Sequence, residues 1–204
     1  GAEAALGVFD TSIVFTPDAI VAASSIADVE ATVAAAQREG VPLLAVGTGH
    51  GLLGNVSEGI VLATRELASV TVDVDARTAR VTAGATWTDV LEATTPHGIA
   101  GLCGSAPGVG VISYLLGGGL GPIAREYGFS ADHVRSLEVV TPAQGALTVS
   151  AEQHPELFWA LRGGKSGLGI VVAATIDLLP ITSLYGGGLY FAADSAGDVL
   201  HAVA

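Results

Sequence analysis

Pro42-Leu43-Leu44-Ala45-Val46-Gly47-Thr48-Gly49-His50-Gly51-Leu52-Leu53-Gly54-Asn55-Val56-Ser57-Glu58-Gly59 reads as a short buried strand, Leu43–Val46, entering a glycine-rich loop. Gly49, Gly51 and Gly54 satisfy the GxGxxG spacing of a dinucleotide fingerprint. That fingerprint works only when a helix starts at the loop and turns its N-terminus toward a pyrophosphate. Here Asn55–Gly59 reads as a turn, and Ile60–Leu62 as a further strand, so the doubly wound Rossmann reading fails. The loop keeps another capacity. Gly47, Gly49 and Gly51 allow successive amides to face an anion as a nest, with no helix behind them.

Upstream of the loop, Ile20–Ala23 is an apolar run. Ser25 with Asp28 forms a capping pattern, and Ile26, Val29, Val33 and Ala36 follow at helical spacing until Gly40. One βαβ unit is the natural reading. Beyond Arg65 the period changes to two. Val70, Val72 and Val74 alternate with Thr71, Asp73 and Asp75, and a turn leads into Arg80–Ala83. Thr86 and Asp89 cap a short helix ending near Gly98. Leu137–Thr141 and Ala146–Val149 form a second hairpin, Pro155 opens a helix over Glu156–Leu161, and Ile170–Leu179 is a long strand. The fold class is α+β. A small parallel lobe covers residues 1–66, a mainly antiparallel lobe with flanking helices covers 67–181, and 182–204 reads as the start of another domain, cut short within an amphipathic helix after Asp194.

Composition sets the outer limits. Of 204 residues, 50% are hydrophobic and 14% charged, which excludes intrinsic disorder. A net charge of −12 argues against nonspecific nucleic-acid or anionic-membrane binding. The single cysteine, Cys103, excludes an internal disulfide and a CxxC zinc site. No basic segment followed by an apolar core opens the chain, so no secretory signal is read, although a first residue of Gly fits a leader or start already removed. The compartment stays open between cytoplasmic and secreted. Gly98–Ala124 carries no charge, yet its many glycines, Pro107 and Pro122 break any membrane helix, and a soluble, buried, loop-rich segment is the expectation.

Eight glycines fall between Gly101 and Gly121. Gly buries little and loses most entropy on folding, so these are read as backbone lying against a large ligand, whose charge amides rather than Lys or Arg would meet. His50 has three readings: a structural histidine, a metal ligand, or a residue touching a cofactor. His97, His133, His154 and His201 offer no paired spacing for a metal, and none is expected. Gly164-Lys165-Ser166 imitates the end of a P-loop, but Trp159 stands where its first glycine belongs.

Taken together, Pro42–Gly51, then Gly104-Ser105-Ala106-Pro107-Gly108-Val109-Gly110-Val111, Leu116–Gly121 with Arg125-Glu126-Tyr127-Gly128, and Leu157–Gly164 resemble the FAD-linked oxidases of the berberine-bridge-enzyme-like group, within the vanillyl-alcohol-oxidase (PCMH-type) superfamily. The resemblance runs from about Ile20 to Leu189. It implies a two-lobed FAD-binding domain with the flavin between the lobes, and a covalent flavin link through His50. It implies that Val46, Gly47, Thr48, Gly49, Gly51 and Leu52 surround the pyrophosphate loop. Gly104, Ser105, Val109, Gly110, Val111 and Tyr114 would follow the ribityl chain and ring. Gly119 and Gly121 would close that loop, with Ile170 and Val171 near the adenosine half.

The sequence departs from the family pattern at three places. Ala106 occupies the position of the second attachment cysteine of doubly linked members, so at most one link is expected and Cys103 is given a structural role. Ser113 and Val172 replace a usual glycine and threonine, which would disturb flavin packing. The family's substrate domain is represented only by Tyr185–Phe191, read as its first strand, so no catalytic acid or base is assigned. The implied function is an FAD-dependent oxidoreductase passing a hydride from a sugar, alcohol or natural-product intermediate to flavin N5, with dioxygen as acceptor. The alternative is a flavin-binding fragment or subunit that needs a second polypeptide. The remaining C-terminal half of the enzyme is the expected partner, and exposed apolar surface where it docks would favour self-association.

Overall fold

The computed structural model of the chain describes residues 6, 9, 12–52, 54–165 and 167–203. Leu53, Ser166 and Ala204, quoted in motifs above, lie outside the described residues. The first lobe comprises β1 (Ala19–Ala22), α1 (Ile26–Glu39), β2 (Leu43–Val46) and β3 (Ile60–Ala63). Its three strands run parallel in the order β1-β3-β2. Ser25 and Asp28 close the expected capping box, and hydrogen bonds from the Ser25 hydroxyl and the Ser24 amide hold the Asp28 carboxyl below its ordinary pKa. Gly40, at φ +66°, ends α1 in the left-handed conformation that glycine tolerates best.

The second lobe is a five-stranded antiparallel sheet in the order β4-β5-β8-β6-β7. Its strands are β4 (Val70–Asp73), β5 (Thr78–Thr82), β6 (Val134–Thr141), β7 (Gly145–Ser150) and β8 (Ile170–Asp177). The central β8 reads Ile-Val-Val-Ala-Ala-Thr-Ile-Asp without alternation, because both of its faces are covered. Helices α2 (Trp87–Thr94), α3 (Val111–Leu116), α4 (Ala124–Tyr127), α5 (Pro155–Gly164) and α6 (Ala196–Val203) complete the described elements. Trp87, Val90, Val111, Leu115, Phe158 and Leu161 bury one face of this sheet. The other face meets the first lobe. Val140 and Val172 pack with Ala23, Val29, Val33 and Leu62, so the two lobes share one apolar cluster beneath α1.

Most boundaries shift by a residue or a few from the sequence reading, and four differences matter most. The second strand of the first hairpin is Thr78–Thr82 rather than Arg80–Ala83. β6 begins at Val134, three residues before the expected start, and its ladder is interrupted by irregularities between Val134 and Ser136 and between Glu138 and Val139. β8 stops at Asp177, with Leu179 paired only locally to Ala100. The expected strand at Tyr185–Phe191 is absent. That segment is irregular and exposed, since a strand needs a neighbouring ladder to satisfy its backbone and none of the described strands lies beside it. The uncharged stretch Gly98–Ala124 is loop-rich as expected, and its one helix before Ala124, α3, has six residues. Among the described residues no helix is long and apolar enough to cross a membrane.

Candidate functional site

A cleft of about 410 Å³ opens between the two lobes. Its first wall is β2 and the loop that follows: Leu43, Leu44, Ala45 and Val46, then Gly47, Gly49, His50, Gly51 and Leu52. The opposite wall combines Ala83, the N-terminal turn of α3 with Gly110, Ile112 and Ser113, and the segment Lys165, Gly167, Gly169, Ile170 and Val171 leading into β8. Among the described residues, no carboxylate lines the cleft, and Lys165 is the one Lys or Arg side chain there. The walls are therefore mostly apolar, while exposed amides, an imidazole and an ammonium gather at the glycine loop. That combination suits a ligand with a flat apolar part and an anionic part.

Thr48 holds the loop in place. Its buried Oγ1 accepts a hydrogen bond from the Gly110 amide at 3.2 Å, reaching from the first lobe to the second. The same oxygen lies 2.9 Å from His50 Nδ1. With the hydroxyl proton directed to Nδ1, neutral His50 carries its proton on Nε2. The His50 ring stacks on Phe9, with centroids 4.3 Å apart and planes 17° from parallel, yet the residue stays exposed to the cleft. The main chain joins in, because the Phe9 amide donates to the Thr48 carbonyl at 3.1 Å.

Of the residues singled out from the sequence, Val46, Gly47, Gly49, His50, Gly51, Leu52, Gly110, Ile170 and Val171 line this cleft, and Thr48 lies directly behind it. The remaining seven do not line it. Val111 is wholly buried, and Val109 packs against the sheet core. Ser105 lies in an exposed bend. Gly104, Gly119 and Gly121 surround the Tyr114 ring. A Cβ on Gly104 would lie 3.1 Å from that ring, one on Gly119 would lie 2.7 Å from it, and one on Gly121 would run into the Cys103 carbonyl oxygen. Gly101 is held the same way, its missing Cβ leaving room for Trp87 at 2.6 Å. Tyr114 meets Trp87 edge-on at 5.7 Å. At Gly101, Gly104, Gly119 and Gly121 the space that a Cβ would take is filled by the protein's own aromatic rings, Ser130 and backbone.

Tyr114 Oη is buried beside the Ser130 hydroxyl, with no well-formed hydrogen bond among the described residues. Burial pushes the Tyr114 hydroxyl's pKa up. Burial likewise raises that of the Cys103 thiol, which keeps it protonated and unreactive away from the cleft lining. The two other departures separate cleanly. Ser113 faces the cleft, with its Oγ donating to the Gly110 carbonyl at 3.2 Å. Val172 instead buries its side chain in the inter-lobe cluster, so the expected disturbance of flavin packing there is withdrawn. Sequence reasoning passed over Lys165, which was weighed only as part of a failed P-loop. The usable signal was the cluster Gly163, Gly164, Gly167 and Gly169 around the chain's sole lysine.

Residues 17–150 match a family model described as FAD binding domain. Curated relatives carry the names of FAD-linked oxidoreductases. Berberine bridge enzyme-like 5 of Arabidopsis thaliana is 34% identical over 176 residues, covering 81% of this chain and 33% of the relative. Among solved structures, 6-hydroxy-D-nicotine oxidase of Arthrobacter nicotinovorans superposes with a TM-score of 0.81 at 29% identity, over 87% of this chain and 40% of that one. A glucooligosaccharide oxidase of Acremonium strictum, described with a 6-S-cysteinyl, 8α-N1-histidyl FAD, superposes at 0.77 with 31% identity, over 85% and 37%. The chain spans about a third to two-fifths of the length of the curated relatives it matches. With the two-sheet fold and the inter-lobe cleft, these likenesses show that the chain belongs to the FAD binding domain family of FAD-linked, berberine-bridge-enzyme-like oxidoreductases.

Proposed function

We propose that the cleft holds FAD, covalently attached through His50, and that the chain is the cofactor-binding part of an oxidase acting on a small organic substrate. One observation carries the reading. The only imidazole lining the cleft stands exposed within the glycine loop, and its Nδ1 is already engaged by Thr48. The donor set fits the cofactor. Gly47, Gly49 and Gly51 present backbone to an anionic diphosphate, while Val46, Ile112, Leu116, Ile170 and Val171 offer apolar surface to the rings. When bound, FAD supplies the two-electron acceptor for oxidation of a sugar, alcohol or natural-product intermediate, with dioxygen as terminal acceptor.

The chain's own residues bind and orient. Thr48 bridges the lobes and holds the His50 ring, and Phe9 stacks on it. One attachment point is proposed rather than two, because residue 106 is Ala and Cys103 lies outside the cleft lining with a protonated thiol. Among the described residues no side chain lining the cleft is a carboxylate that could serve as a substrate base. We therefore place the substrate-side groups in the further polypeptide that the longer relatives possess, which makes that polypeptide the chain's functional partner. The exposed run Leu184, Tyr185, Leu189, Tyr190 and Phe191 is proposed as part of the surface that such a segment covers, and left bare it would also promote self-association.

A visible spectrum before and after acid precipitation, with intact mass, tests this reading. Yellow colour retained in the precipitate with the mass of one FAD is the expected result. His50→Ala is expected to release all colour into the supernatant while retaining some noncovalent FAD. Covalent flavin persisting in His50→Ala would overturn the attachment site, and a wild-type chain unable to bind added FAD would overturn the cofactor.

A further inference from the structure

We propose that Lys165 is a binding residue for the cofactor's diphosphate and supplies the positive charge that the glycine loop lacks; this rests on the FAD reading above. Lys165 is the sole lysine of the chain. It follows α5 and lines the cleft opposite His50. Its ammonium comes so close to the loop that a Cβ built on Gly51 would lie 2.8 Å from Nζ. Gly51 is thus the point where the ammonium from the second lobe meets the amide nest of the first.

Three observations point to an anion there. None of the ion pairs among the described residues uses Lys165, and no carboxylate is among the described residues that line the cleft, so its ammonium has no acidic side chain paired with it beside the glycine loop. The backbone holds the residue in position, with the Lys165 amide donating to the Leu116 carbonyl at 3.0 Å, at the C-terminal end of α3. Lys165 also sits at φ +66°, a conformation that favours glycine, in a segment whose neighbours at 163, 164, 167 and 169 are glycine. A side chain is kept there against the local backbone preference.

The electrostatics give that side chain a purpose. A diphosphate carries about two negative charges and must enter a protein of net charge −12. Neutral amides orient it, but one ammonium within contact distance offsets the long-range repulsion. The sequence-level expectation that amides alone meet the cofactor's charge is thereby revised. A lysine, unlike an arginine fork, acts as a point charge on a flexible stem and can adjust to the phosphates' positions.

The experiment uses the His50→Ala chain, in which binding is reversible, and compares FAD with riboflavin, which lacks phosphate. Lys165→Gln is expected to weaken FAD about tenfold, as for loss of one charge-assisted hydrogen bond, and to leave riboflavin unchanged. The salt dependence of FAD binding should flatten, inorganic pyrophosphate should compete less well, and Lys165→Arg should recover most of the affinity. Equal weakening of FAD and riboflavin would overturn the proposal, since the lysine would then act on the ring or on the loop's shape. Unchanged FAD affinity would overturn it as well. Failure of the parent chain to bind either ligand would instead sink the FAD reading on which the proposal rests.

Discussion

Two glycine-rich segments of this molecule look alike in the sequence and behave differently in the structure. In the loop Gly47–Gly51, glycine leaves backbone open toward a cleft, and the nearest atom to a Cβ on Gly51 is the mobile end of Lys165. Between Gly101 and Gly121, four of the eight glycines (Gly101, Gly104, Gly119 and Gly121) leave room for Trp87, Tyr114, Ser130 and the Cys103 carbonyl. Glycine density therefore reports close approach without saying what approaches. The discriminating feature is the partner: an aromatic side chain of the same lobe in one case, and open space between lobes in the other.

The largest effect that would break this contrast is expected from Gly119→Ala set against Gly51→Ala. Gly119 has φ +73°, and its added methyl would meet Tyr114 at 2.7 Å and Ser130 at 2.8 Å. Left-handed strain plus overpacking should cost about 3 kcal/mol. For a chain of this size that is a fall of roughly 10 °C in thermal midpoint. Gly51→Ala should leave the midpoint within about 2 °C, because Lys165 can swing aside, while FAD binding weakens about tenfold. Thermal melts with and without FAD separate the two. If Gly119→Ala melted like the parent but lost FAD, the two regions would not differ as the structure says.

Thr48→Val sharpens the comparison at the seam between lobes. It removes the acceptor of the buried Gly110 amide and the partner of His50 Nδ1 in one step. The orphaned amide should cost about 2 kcal/mol. Flavin attachment should slow, because the imidazole loses the group that holds its ring and tautomer. Thr48→Ser, which keeps the oxygen, should recover most of both effects. Attachment rates equal to the parent in Thr48→Val would show that the hydroxyl serves the lobe seam alone.

Much of this architecture is legible in the sequence because its local signals are strong. Ser25 with Asp28 and Thr86 with Asp89 mark helix starts where the structure has them, Gly40 marks the end of α1, and Gly98 closes the 3-10 turn Thr95–His97 that follows α2. Val70–Asp73 alternates because β4 lies at an edge with one wet face, and that too can be read. What cannot be read is the partner of each element. Tyr185–Phe191 has the composition of a strand but no ladder beside it. β6 runs three residues further back than its apolar pattern, because pairing with β8 recruits Val134, Arg135 and Ser136. At the site, the glycine spacing shows a loop, and the role of His50 in it enters only through the family resemblance. Spacing does not bring Lys165 to that loop, since it is 115 positions away and enters only through the fold. Val172 misleads for a related reason: alternation along β8 sends Val171 to the cleft and Val172 to the core.

The smallest expected effect tests where Tyr114 belongs. The family resemblance sets this residue along the flavin, whereas the structure wraps its ring in Gly104, Gly119 and Gly121 and turns its edge to Trp87. Its hydroxyl is buried beside Ser130 without a well-formed hydrogen bond among the described residues, which costs free energy in the folded state. Tyr114→Phe deletes that oxygen and keeps the ring. Stability should then stay level or rise by up to about 1 kcal/mol, and covalent flavin content should match the parent. Loss of flavin with an unchanged melt would show that the hydroxyl turns toward the cofactor once it is bound. In that case the three glycines around the Tyr114 ring, Gly104, Gly119 and Gly121, would belong to the binding site after all, and the distinction between the two glycine-rich regions would fail at those positions.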